Sequence, residues 1–201
     1  MGVRIISDSA CDIVGNTSEY LKIIALPIIF GTEQFWDCVD MSHFEFYDKL
    51  VSSEVHPSTS QAPPYYWEEA IREVQSQGHQ AILFTLSSQL SGSYNSARLA
   101  ASEFESGVYL IDSENVCIGQ KILVEYAVQL AKEGRSFEEM IEILEEAKKK
   151  IRLIAILDTF KYLRKGGRIS HITEFVGEML AVKPIVTLKN VVVLITTCHL
   201  L

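Results

Sequence analysis

The chain has 201 residues, a formal net charge of -8 and a hydrophobic fraction of 48%. Its length allows one large domain or two small ones, and its apolar content, with 22% charged residues, argues for a packed core rather than disorder. The acidic balance disfavours nucleic acid and anionic lipid as partners, no apolar run reaches the ~18 residues of a membrane-spanning helix, and the N-terminal stretch lacks a signal-peptide core.

In chain order, residues 3–7 read as a short buried strand and 21–30 as a longer one interrupted by Pro27. Ser42, with Glu45 three residues on, forms a capping box that opens a helix. Residues 55–63 are polar and rich in turn formers, hence a loop. A helix is predicted from about Pro64 to Gln77, with proline in the first turn and Gly78 at the exit. Residues 80–86 form a buried strand, followed by a helix from about Gly92 to Phe104, and residues 108–111 form the next strand. A helix over 118–133 closes at Gly134. Ser136 and Glu139 make a second capping box, whose helix ends in Lys148-Lys149-Lys150, charges that suit a helix C-terminus. Residues 151–157 read as a strand, 159–170 as a basic segment, 171–181 as a helix, and 184–188 and 191–195 as apolar stretches. Strands alternating with helices predict an α/β fold with a parallel sheet covered on both faces, and a domain boundary is placed near residue 150.

Four cysteines, Cys11, Cys38, Cys117 and Cys198, form no C-x-x-C pair, and the five histidines form no H-x-x-x-H pair. The spacing therefore asks for no metal, and free thiols in a reducing cytoplasm are expected.

A short pattern recurs: an apolar strand followed at once by Asp and a hydroxyl residue. Asp8-Ser9, Asp112-Ser113 and Asp158-Thr159 fit it, and Ser87-Ser88 follows another strand. In a parallel sheet these residues sit at the carboxyl edge, where ligands gather. Helix capping is the plainer reading and would account for most of them.

Two segments are candidates for anion binding. Thr59-Ser60-Gln61 precedes the helix that starts near Pro64, and Leu86 to Ser93 joins a buried strand to a helix. Each places hydroxyls and backbone N–H groups near a helix N-terminus, where dipole and donors favour a carboxylate or phosphate. Gly92 leaves room for close approach. An ordinary pair of caps is the alternative. There is no G-x-S-x-G around Ser91 or Ser93, no histidine assignable as their base, no Walker loop and no G-x-G-x-x-G. A third segment, Lys161 to Arg168, carries four positive charges in eight residues and ends on Gly166-Gly167. It reads either as a solvated basic helix end or as a turn that directs Arg168 at the anion site.

Four motifs together resemble the DegV family of bacterial fatty-acid-binding proteins: Ile6 to Asp12, Thr59-Ser60-Gln61 followed by prolines, Leu86 to Ala97, and Tyr162 to Ser170. The resemblance covers about residues 1–190. It implies a three-layer α/β lipid-binding domain at 1–150, with 151–201 as the start of a second α/β domain. A long-chain fatty acid would place its tail in an apolar tunnel of the first domain. Its carboxylate would be held by Thr59 and Ser91, with Ser60, Gly92 and Ser93 around it and Arg168 as a further member. The family role implied is presentation of the acid to a separate acyl-phosphorylating kinase subunit, with no chemistry by the carrier, no cofactor and no metal. Family members continue for about a further domain, so the second domain is expected to be incomplete. Residues 191–201, without glycine or formal charge, read as a truncated end. Two other readings compete: an acyl or phosphoryl transferase or hydrolase using the strand-end serines, and a non-binding interaction module with a short second domain.

Overall fold

A computed structural model describes residues 2–15, 18–159, 161–168, 183–189 and 192–198. The chain divides into two compact units, residues 1–151 and 152–201.

The first unit is built on a parallel sheet of β1 (Val3–Asp8), β2 (Leu21–Ile24), β6 (Gln80–Thr85) and β7 (Val108–Asp112), in the order β2-β1-β6-β7. The register pairs Ile5 with Leu21 on one side and Ile82 on the other, and Ile82 with Tyr109. Because side chains alternate along a strand, one face presents Ile5, Ile82, Phe84 and Ile111 and the other Ile6, Ala81 and Leu83. The first face packs against Leu123, Val124 and Ala127 of α4 (Ile118–Lys132) and Met140 and Leu144 of α5 (Phe137–Lys148). The second packs against α2 (Pro64–Ser76) and α3 (Ser93–Ala101). In α2 the buried residues are Trp67, Ala70, Ile71 and Val74, the spacing of a single helix face. The result is the three-layer parallel α/β architecture that the alternating pattern predicts. Burial on both faces explains why the strands read as continuous apolar runs.

Residues 21–30 are not one strand. β2 ends at Ile24 in the parallel sheet, while β3 (Pro27–Phe30) joins a separate antiparallel sheet with β4 (Glu33–Trp36) and β5 (Ser58–Thr59), ordered β4-β3-β5. Proline has no N–H for a ladder and is tolerated where a strand begins. Gly31, at φ 63°, turns the chain back into β4 with a backbone that a side chain would strain. The segment read as a loop at 55–63 contains β5, whose Thr59 pairs with Ile28. Two residues flanked by turn formers carry no alternation for a sequence reading to detect. This small sheet and α1 (His43–Ser52) share a modest core of Ile28, Phe30 and Met41, with Phe35 and Phe46 against it. α1 has both halves of the Ser42–Glu45 capping box yet buries no residue. The Ser136–Glu139 box of α5 is equally complete, and that helix buries Met140 and Leu144.

In the second unit β8 (Leu153–Ile156), β9 (Lys183–Lys189) and β10 (Val192–Cys198) form an antiparallel sheet ordered β10-β9-β8, with the short α6 (Lys161–Lys165) after β8. The apolar stretches near 184 and 191 thus become paired strands, with Ile185 opposite Thr196. The helix predicted at 171–181 lies outside the described residues, as do Ile169 and Ser170 of the basic motif. Among the described residues no helix is long and apolar enough to cross a membrane.

Candidate functional site

The order β2-β1-β6-β7 reverses direction between β1 and β6, so the crevice outside the carboxyl ends of those two strands is where such a sheet accepts ligands. The floor of this edge is a buried polar network. Asp8, at the end of β1, is fully buried; its Oδ2 accepts the Leu86 N–H at 3.0 Å and its Oδ1 accepts from Gln120 Nε2 at 2.9 Å. Gln120 Nε2 also donates to Ser7 Oγ at 3.1 Å. Burial pushes the Asp8 carboxyl up to about 6, and hydrogen bonds from Gln120, Leu86 and Ala10 offset part of that rise. Ser9 Oγ accepts the Leu26 N–H at 3.1 Å, and Asp112 accepts the N–H groups of Ser88 at 3.2 Å and Glu114 at 2.9 Å.

Capping therefore does not explain Asp8, Ser9 or Asp112. Where parallel strands end, the loop N–H groups beside them lose their ladder partners, and these side chains supply acceptors across the sheet edge instead. Thr159 does behave as a helix-start acceptor, taking the Lys161 N–H at 3.1 Å.

The rim above this edge carries the two hydroxyl-rich motifs. Ser91 Oγ accepts the Ser93 N–H at 3.2 Å and lies 3.0 Å from Ser93 Oγ. Ser93 itself is buried, so it holds Ser91 while Ser91 stays half-buried at the start of α3. The Ser91 N–H is tied to the Ser87 carbonyl at 3.2 Å. Thr59 and Ser60 are exposed on and just after β5, and the Ser60 N–H donates to the Pro27 carbonyl at 3.2 Å. Neither caps α2, whose N-terminal Pro63 receives no side-chain cap.

The two motifs meet through Gln61. A Cβ built on Gly92 would lie 1.7 Å from Gln61 Oε1, so the space left by this glycine is filled by the Gln61 amide. The close approach expected at Gly92 is thus made by the protein's own side chain. One residue further, Ser96 Oγ donates to the Ala62 carbonyl, fastening the same segment to α3. Trp36 of the small sheet meets the Tyr66 ring edge-on at 5.1 Å, while Trp67 is buried in the core under α2.

Arg168 belongs to the second unit. Gly167 there takes φ 72°, the Arg168 N–H reaches the Leu163 carbonyl at 3.3 Å, and its guanidinium donates to the Gly166 carbonyl at 2.5 Å. An open groove of about 500 Å³ lies at the opposite, amino end of β1 and β2, bordered by Arg4, Tyr20 and the Lys22–Glu73 ion pair, and no motif residue lines it.

Gln120 is the residue of this edge that the sequence motifs did not include; Asp8 and Gln61 lie within them, but without the partners they meet here. Gln120 carried a signal: it shares the buried face of α4 with Leu123, Val124 and Ala127, and a polar residue at a core position calls for a buried partner.

A model of the DegV family, described as an uncharacterised protein of that family, matches residues 2–197. The chain belongs to the DegV family. A DegV domain-containing protein of Clostridium perfringens is 35% identical over 192 residues, covering 94% of this chain and 68% of the relative. Among solved structures, a fatty-acid-binding DegV protein from Thermus thermophilus superposes with a TM-score of 0.87 at 26% identity, covering 98% of this chain and 71% of the other. A stearic-acid-binding protein from Eubacterium ventriosum gives 0.86 at 28% identity, covering 96% and 69%. DegV from Bacillus subtilis, a fatty-acid-binding protein, gives 0.84 at 30% identity, covering 96% and 70%.

Proposed function

We propose that this DegV chain binds a long-chain fatty acid, with Thr59 and Ser91 donating hydrogen bonds to its carboxylate and Ser60, Gly92, Ser93 and Arg168 completing the surroundings. The observation that carries the reading is the Gln61–Gly92 contact, which joins two hydroxyl-bearing segments at a sheet edge in a fold whose solved relatives bind fatty acids. Neutral hydroxyl donors suit a carboxylate sunk into a protein, which must be hydrogen-bonded or take up a proton. The tail supplies the affinity, at about 0.8 kcal/mol per buried CH₂. Residues 1–150 act as the lipid-binding domain, and 151–201 begin a second domain.

The protein acts as a carrier in the cytoplasm and hands the acid, carboxylate outward, to a separate kinase subunit that makes the acyl phosphate. It performs no chemistry and uses no cofactor. In support, Ser91 Oγ accepts the Ser93 N–H and lies 3.0 Å from Ser93 Oγ, contacts that hold the hydroxyl in place as a hydrogen-bonding group. Cys11, Cys38 and Cys117 are free thiols, in keeping with a reducing compartment.

The test is mass spectrometry of the purified protein after denaturation, which should release a fatty acid. Ser91→Ala should weaken binding by ~1–3 kcal/mol, the worth of a hydrogen bond to a charged group. No released acid and no binding of added acid would end the carrier reading. Turnover of an acyl substrate by the isolated chain, lost in Ser91→Ala, would favour the transferase or hydrolase reading.

A further inference from the structure

The connection between β4 and α1 gathers three chemically different donors. Asp37 directly follows β4, Cys38 is next, and His43 is the first residue of α1. Cys38 Sγ lies 3.4 Å from Asp37 Oδ1, His43 Nε2 lies 3.8 Å from the same oxygen, and the three donor atoms all fall within 4.8 Å of one another. A tetrahedral zinc ion with bonds of about 2.0–2.3 Å needs ligand atoms about 3.3–3.8 Å apart, by the geometry of the tetrahedron. The separations around Asp37 match that requirement with almost no movement. Carboxylate, thiolate and imidazole are also the donor set of a borderline-soft cation, where calcium or magnesium would call for oxygen alone.

The backbone holds the three donors in place. The Asp37 N–H donates to the Leu26 carbonyl and the Cys38 N–H to the Met41 carbonyl, both at 3.0 Å. The Trp36 N–H is held by Asp40 Oδ2 at 2.9 Å, and Asp37 bridges Met41. The Ser42–Glu45 capping box sets the start of α1 and so the base of the His43 side chain. Cys38 is exposed, which leaves an entry path and one coordination position facing water.

We propose that Asp37, Cys38 and His43 bind a divalent cation of the zinc class, three protein ligands and one water, joining the end of β4 to the start of α1. The site stands apart from the fatty-acid reading and shares no residue with it. Its structural effect falls on the small sheet that carries Thr59, since β4 and β5 both pair with β3.

The decisive experiment is a titration of the reduced, chelator-treated full chain with Co²⁺, whose spectrum reports its ligands. One equivalent should bind, giving a near-ultraviolet thiolate-to-cobalt charge-transfer band and visible absorption of tetrahedral intensity, both bleached by Zn²⁺. Cys38→Gly is the informative variant, because Cys38 sits at φ 58° and glycine relaxes that backbone while removing the thiolate. It should fold normally, lose the charge-transfer band and bind Co²⁺ at least ~10-fold more weakly; His43→Ala should also bind at least ~10-fold more weakly. Cys117→Ser should keep the full spectrum. A wild-type protein without the band, a band that survives Cys38→Gly, or a band lost in Cys117→Ser would each overturn the proposal.

Discussion

The parallel sheet and the small antiparallel sheet of the first unit carry the two halves of the candidate site under very different support. Ser91 leads out of a sheet sandwiched by four helices, with Phe84, Trp67, Met140 and Leu144 almost wholly buried. Thr59 sits on a two-residue strand whose sheet has a small core of Ile28, Phe30 and Met41, with Phe35 and Phe46 half-buried against it and no fully buried residue in α1. Hydrophobic burial scales with apolar area removed from water, so the first half is fixed by global stability and the second by local packing. A candidate site divided this way has one rigid wall and one adjustable wall.

The comparison is most directly broken by truncating one aromatic on each side. Phe84→Ala should cost about 3–5 kcal/mol in global unfolding by urea. Phe30→Ala should open mainly the small sheet, seen as faster amide exchange at 27–36 with exchange at 80–85 unchanged. Equal global losses from both would show that the two sheets unfold as one.

The next effect is a pH dependence rooted under the rigid wall. Asp8 titrates at about 6 in the folded chain, above the ~3.9 of an unfolded aspartate. The folded protein therefore keeps this proton where the unfolded chain has lost it. The Asp8 contribution favours folding below about pH 4 and is lost as pH rises through about 6, by roughly 3 kcal/mol in all. Glu45, Glu139 and Glu146, held below the usual carboxylate range by hydrogen bonds from Ser42, Ser136 and Lys149, act with the opposite sign on acidification. Denaturation of wild type and Asp8→Asn at pH 4.5 and 7 separates them: wild type should lose more stability than Asp8→Asn on going from pH 4.5 to 7, and equal losses would remove Asp8 as the cause.

Smaller still are the helix caps. Ser136→Ala should cost ~1 kcal/mol globally, because α5 packs into the core. Ser42→Ala should leave the melting transition almost unmoved and speed amide exchange in α1 alone. Least of all, Gly92→Ala should shift stability by less than about 1 kcal/mol, because φ -73° suits alanine and only the flexible end of Gln61 must move. Its signature is displacement of the Gln61 side-chain amide resonances; unmoved resonances would separate the two motifs.

The sequence was most informative where chemistry is local. Capping boxes at Ser42 and Ser136, proline at the head of α2 and the apolar runs of β1, β6 and β7 are short-range signals, each set by a few neighbouring residues. It misread 21–30 as one strand, because an apolar run looks the same whether it serves one sheet or two. It took Asp8, Ser9 and Asp112 for caps, because the N–H donors they satisfy belong to partners such as Leu86, 78 positions from Asp8. β5 left no trace at all, since a two-residue strand exists only through its pairing with β3.

The sequence by itself determined the α/β class, the membership in the DegV family through its motifs, and the residue types available to hold an anion. Tertiary structure alone decided which residues meet: Gln61 against Gly92, Asp8 between Leu86 and Gln120, and His43 beside Asp37 and Cys38. The physical reason is range. Propensity and periodicity act over a few residues, whereas a site is closed by side chains that strand order and burial bring together from distant parts of the chain.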